Sequence, residues 1–145
     1  MNHPRGFGPL LGHCAHLAKE RMDARLSGFD VTPAQMHTLL YLHHHDGRAL
    51  QCEITGHLRV KPSTAAGILD RLEEKGLVER SVSGDDARRR LITLTEKGCQ
   101  QREQLRQIHQ EAETLMLQGF SPEETEQLRS LLERLRKNLE EDRTV

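Results

Sequence analysis

The chain has 145 residues, a formal net charge of −1 and 35% hydrophobic residues, with aromatics at 3% and no tryptophan. That length fits one domain, and so thin an apolar complement leaves a single copy a small core, which helices shared between two copies would thicken. The near-zero charge excludes a protein that coats nucleic acid by bulk electrostatics, but it leaves room for a site-specific binder with a local basic surface.

From Gly8 to Leu26 the apolar positions Leu11, Ala15, Ala18 and Met22, joined by Leu10, Leu17 and Leu26, recur at helical spacing. Residues 27 to 30 break this helix. Thr32 then caps a second helix with Pro33 at its first position, Gln35 closes a capping box, and Val31 with Met36 forms a hydrophobic staple. Met36, Leu39, Leu40 and Tyr41 carry that helix inward as far as His45, and Gly47 ends it. In residues 51 to 58, Ile54 and Leu58 stand four apart, the minimal stripe of a short packed helix. Arg59 and Val60 turn the chain into a fourth helix that begins at Pro62, turns Ala65, Ile68, Leu69 and Leu72 to the core, and stops at Gly76.

The outward face of this fourth helix is the informative one. At about 100° per residue, Ser63, Ala66, Gly67, Asp70 and Glu74 oppose the apolar stripe, with Thr64 and Arg71 on its flank. A helical glycine costs about 1 kcal/mol relative to alanine, so Gly67 weakens the helix while letting another surface approach closely. Hydroxyls at 63 and 64 can hydrogen-bond to base edges, whereas Asp70 and Glu74 would repel phosphate. The N-terminal half is therefore expected to touch bases. Taken alone, the pattern also fits an ordinary surface helix.

The next segment separates those readings. Residues 77 to 82 and 91 to 94 are strand-like, and Ser83, Gly84, Asp85 and Asp86 between them are turn formers, which predicts a hairpin. Its returning arm carries Arg88, Arg89 and Arg90, with 88 and 90 on one side of an extended chain and 89 on the other. An arginine-rich hairpin beside a helix-turn-helix is a winged helix-turn-helix, and arginine suits the narrow, negative minor groove. A solvated charge run is the plainer alternative for the arginines considered by themselves.

Beyond the hairpin, Thr95 is expected to start one long helix through Leu105, Ile108, Ala112, Leu115 and Met116, stopped at Gly119. Ser121, Pro122 and Glu124 open a last helix with a second capping box, and Leu128, Leu131, Leu132, Leu135 and Leu139 make a near-heptad seam suited to a partner subunit. The predicted fold class is mainly α with a small β-hairpin wing. A DNA-binding lobe spans 31–98, and the segments 8–28 and 99–142 form a helical dimerisation lobe, all within a single domain over 1–145.

No G-x-S-x-G, H-E-x-x-H or Walker loop is present, and Gly6, Gly8 and Gly12 miss the dinucleotide-binding spacing, so no catalytic residue is expected. No apolar run reaches signal length or the ~20 residues of a membrane span, so neither a targeting segment nor a membrane partner is expected. Three cysteines without a C-x-x-C pair argue against a disulfide framework and fit the reducing cytoplasm.

The run VKPSTAAGILDRLEEKGLVER, the Asp86-Ala87-Arg88 wing and the following LITLTEKG resemble the multiple-antibiotic-resistance regulator family, MarR. The similarity extends over nearly the whole chain and is most specific across residues 60 to 98. It implies a homodimeric bacterial transcription regulator, usually a repressor, that binds a palindromic promoter site in double-stranded DNA. The helix from Pro62 would lie in the major groove, with Arg88 in the minor groove and Asp86 bracing Arg71. Lys61 stands where the family often has a capping residue; lysine cannot cap the helix but can reach phosphate. The DNA contacts expected are Lys61, Ser63, Thr64, Ala66, Gly67, Arg71, Arg88, Arg89 and Arg90. A winged module that binds protein instead of DNA is the alternative, and the hydroxyl-rich helix start and Arg88 argue against it.

Control of such a regulator is less visible. His43, His44 and His45 are consecutive and cannot all face one ion on a helix, but positive charge is favoured at a helix C-terminus. A zinc-responsive branch of the family implies a candidate zinc site at His16, Glu20, His37 and His109. A peroxide-sensing branch implies Cys14 as a redox candidate, with Cys52 and Cys99 as small core or surface residues. Otherwise the resemblance implies a small organic effector, held between the two lobes, that shifts the spacing of the paired recognition helices.

Overall fold

The computed structural model describes residues 6–82, 84–85 and 89–144. Its first helix, α1, spans Phe7–Leu26, and α2 spans Pro33–His44. The predicted capping box is present at α2: the Gln35 N–H donates to Thr32 Oγ1 and the Thr32 N–H to Gln35 Oε1, each at 3.2 Å. Val31 and Met36, the two residues of the staple, are both buried. Gln35 is itself buried, and its carbonyl oxygen also accepts from Lys75 Nζ at 2.7 Å, so the cap of α2 is fastened to the end of another helix.

One element was not anticipated. Arg48–Leu50 forms a strand, β1, directly before α3 (Gln51–Leu58). After α4 (Pro62–Glu74) come β2 (Val78–Val82) and β3 (Arg90–Leu94), and the antiparallel sheet has the order β1-β3-β2. The expected two-stranded hairpin is therefore the larger part of a three-stranded sheet. Three residues are too few to show an alternating pattern, and only Ala49 of the three is buried, opposite Ile92.

The expected single helix after Thr95 is divided into α5 (Glu96–Gln100) and α6 (Arg102–Met116) by a turn at Gln101. α5 presses on the sheet so closely that a Cβ on Gly98 would stand 2.3 Å from the Leu77 carbonyl oxygen. Thr95 Oγ1 and Lys97 Nζ meanwhile donate to the carbonyls of Gly76 and Lys75, at 2.6 and 2.8 Å, and satisfy the end of α4.

The chain forms two compact units, one up to Ala112 and one from Glu113 onward. The first holds the core: Leu26, Met36, Leu39, Leu42, Ile54, Leu69, Leu72, Leu77, Ile92 and Leu105 are all essentially sealed from solvent. The second holds α7 (Pro122–Glu141), opened by the predicted Ser121–Glu124 capping box and burying none of its residues. No helix among the described residues is long and apolar enough to cross a membrane.

Candidate nucleic-acid interface

Helices α3 and α4 are joined by a three-residue turn in which Arg59 adopts the left-handed conformation, φ 56°. That conformation is disfavoured for a residue with a Cβ, and here it lets the chain reverse within three residues. Ile54 from α3 and Leu69 and Leu72 from α4 are buried in one cluster, with Leu58 and Ile68 packed at its edge. The inward face of α4 is thus occupied, which fixes the outward one.

On that outward face Ser63, Thr64 and Gly67 are exposed, Ala66 is half-buried, and Lys61 stands exposed at the N-cap without a capping hydrogen bond. Nothing lies within 4 Å of where a Gly67 Cβ would sit, so the glycine is not required by packing within the chain. Arg89 and Arg90 are exposed at the turn end of the hairpin's strand pairing, where Arg90 opposes Val82. They share an open cleft of about 330 Å³ with Pro62 at the start of α4 and with Gln51, Cys52 and Thr55 of α3. The cleft thus sets two arginines beside the beginnings of two helices, an arrangement that suits a phosphate. The α3 residues of this cleft were not singled out from sequence, because their meeting with Arg89 and Arg90 exists only through the tertiary fold.

The second half of α4 behaves differently. Arg80 of β2 forms ion pairs with both Asp70 and Glu73, and Glu73 also accepts the Arg80 backbone N–H at 3.2 Å. The hydrogen bond from Arg80 holds the Glu73 carboxyl below its ordinary value, and that same bond raises the Arg80 guanidinium. The sequence reading placed the bracing of the wing between Arg71 and Asp86. Asp86, like Arg88, lies outside the described residues, and Arg71 is exposed with no ion pair among them. The brace observed among the described residues uses Arg80, two residues on from buried Val78 and so on the same face of β2.

The sensor candidates come together only in pairs. His16 and Glu20 approach to 3.4 Å on an exposed face of α1, and the His37 and His109 rings meet edge to face at 5.6 Å. Among the described residues no three His, Cys, Asp or Glu side chains are placed to hold a metal ion. Cys14 is exposed, as are Cys52 and Cys99. Within the histidine run, His45 stacks on Tyr41 at 4.0 Å and donates from Nδ1 to the Tyr41 carbonyl, while His57 approaches the same ring at 4.4 Å. Burial and the nearby Arg102 charge lower the pKa of His43. A second cleft, of about 420 Å³ and mostly apolar, lies between α1 and the helix-turn-helix. Its lining includes Lys19, Asp23, Pro33, His37, Val60 and Ile68.

Comparison with known proteins agrees with this geometry. The profile of the MarR family matches residues 31–89. The crystal structure of the S. aureus MepR–DNA complex is similar at 33% identity and a TM-score of 0.86, over 92% of this chain and 98% of that one. A mutant of E. coli MarR, complexed with operator DNA, is similar at 27% identity and a TM-score of 0.79, over 88% and 91% of the two chains. The matched segment holds the helix-turn-helix, and the structural likeness runs through the flanking helices, so the chain belongs to the MarR family of transcription regulators.

Proposed function

We propose that this protein is a dimeric, cytoplasmic DNA-binding repressor that acts by occupying a palindromic promoter site and has no catalytic step. The observation that carries the reading is the placement of Ser63, Thr64 and Gly67 on the open face of α4, whose start shares a cleft with Arg89 and Arg90 at the turn end of the hairpin's strand pairing. Residues 31–98 form the DNA-binding lobe in this reading. The first half of α4 enters the major groove, a backbone phosphate seats in the arginine cleft, and Arg88 reaches the minor groove. MepR and E. coli MarR, both similar along almost their whole lengths, have been solved with DNA.

The segments 8–28 and 99–142 form the dimerisation lobe. Phe7, Leu10 and Leu17 of α1 and Leu128, Leu131, Leu132 and Leu139 of α7 are exposed in the single chain, as expected of apolar surface reserved for a second copy. The dimer presents two recognition helices to major grooves about 34 Å apart. A small organic effector held in the cleft between α1 and the helix-turn-helix would favour a dimer in which that spacing is lost, and the promoter would be released.

Selection of bound sequences from random duplexes, followed by titration of the enriched duplex, tests the reading. Wild type should enrich a palindrome and bind it with a steep inverse dependence on salt, and Arg88→Ala should weaken binding strongly. Failure to enrich any sequence would overturn it.

A further inference from the structure

Asp70, Glu73 and Glu74 load the second half of α4 with negative charge. Phosphates would push a helix with that charge out of a groove. The structure carries a countermeasure: Arg80 reaches from β2 to pair with Asp70 and Glu73 together. Its side chain is only 18% exposed, while those of Asp70 and Glu73 are 53% and 43% exposed, so the guanidinium lies beneath the two carboxylates. Glu73 is held twice by this one residue, through the side chain at 3.1 Å and through the backbone N–H at 3.2 Å. The guanidinium fork suits such a bridge between two carboxylates, which a single lysine ammonium on a flexible stem holds less firmly.

We propose that Arg80 is a positioning residue for DNA recognition: it ties α4 to the wing strand and offsets one unit of the negative charge that Asp70 and Glu73 would otherwise hold against phosphate. The proposal rests on the DNA-binding reading above. It separates from a purely structural tie because masking depends on charge, whereas a tie depends on the bond itself.

Three variants distinguish them: Arg80→Gln, the double change Asp70→Asn with Glu73→Gln, and all three changes together. The probes are a labelled random-sequence duplex and the duplex enriched by selection, with helical content and the urea midpoint followed in parallel. Each unit of charge near the phosphates changes affinity by about fivefold at physiological salt. Masking predicts that Arg80→Gln binds about fivefold more weakly than wild type, that the triple variant recovers wild-type affinity or better, and that the double variant binds more tightly than wild type. If all three variants bind equally weakly, Arg80 is a structural tie and the proposal is overturned. If Arg80→Gln does not fold, the double variant decides alone, because it keeps the arginine; affinity no higher than wild type defeats masking. Should wild type bind neither duplex, the DNA-binding reading falls first and takes this proposal with it.

Discussion

The two units of this protein use leucine in opposite ways. Up to Ala112, leucines from α1, α2, α4, the sheet region and α6 close into one core, with Leu39, Leu42, Leu69, Leu72 and Leu105 fully sealed. From Glu113 onward, α7 carries as regular a leucine stripe and buries none of it; Leu131 is 57% and Leu139 66% exposed. The same residue type therefore reports packing within the chain in one region and exposed apolar surface in the other. α7 also carries exposed ion pairs such as Arg129–Glu126, as expected of a solvated helix surface.

The contrast breaks most easily at paired substitutions. Leu69→Ala should cost about 3 kcal/mol of unfolding free energy by urea titration, through lost burial and a cavity. Leu131→Ala should cost less than about 0.5 kcal/mol at protein concentrations low enough to be monomeric, yet it should raise the dimer dissociation constant in sedimentation. Equal losses in the two monomers would remove the distinction.

Glycine substitutions sharpen it inside the first unit. Gly98→Ala should destabilise by about 2 kcal/mol, because the added methyl meets the Leu77 carbonyl that accepts the Thr95 N–H. Gly67→Ala should instead raise stability by about 1 kcal/mol, since the position is helical and open. If the open face of α4 reads bases, that more stable protein should bind its selected duplex about tenfold less tightly, the scale of one lost base contact.

The smallest effect is acid sensitivity, which should belong to one region, because every histidine precedes Glu113. Burial and Arg102 lower the pKa of His43 from the ordinary 6.5. Below that value the unfolded chain takes up a proton that the folded one resists. Stability is therefore complete above the ordinary value and declines as pH falls through it toward the lowered one. Urea midpoints measured from about pH 7 down to about pH 5 should show the decline in wild type and a shallower one in His43→Gln.

The capping residues, the bounds of α3 and α4, and the exposed candidates Lys61, Ser63, Thr64 and Gly67 were legible because each rests on local chemistry: a cap, a proline at a first turn, a stripe at period 3.6. β1 was not legible, since a three-residue strand exists only through its pairing with β3. Gln101 was missed because glutamine is a good helix former and no glycine or proline marks the break there. Arg80 was passed over among many charged residues, because nothing near it in the chain says that Asp70 and Glu73 lie above it. The pairing of His16 with Glu20 follows their spacing of four; His37 and His109, grouped with them only by the family resemblance, meet each other, and among the described residues no three of the four come together as a ligand set.

The central place of β3 has a practical consequence. β1 pairs with one edge of β3 and β2 with the other, and β1 runs straight into α3, so the base of the wing cannot slide without shifting the first helix of the helix-turn-helix. The register is locked from both sides below Arg90, whereas Gly84, at φ 67°, sits in a turn above the last strand pair, Val82 with Arg90. Residues can therefore be inserted or deleted beside Gly84 to lengthen or shorten the reach of the wing while the strand register below Arg90 holds. That makes the tip the natural graft point for refitting this scaffold to other duplexes.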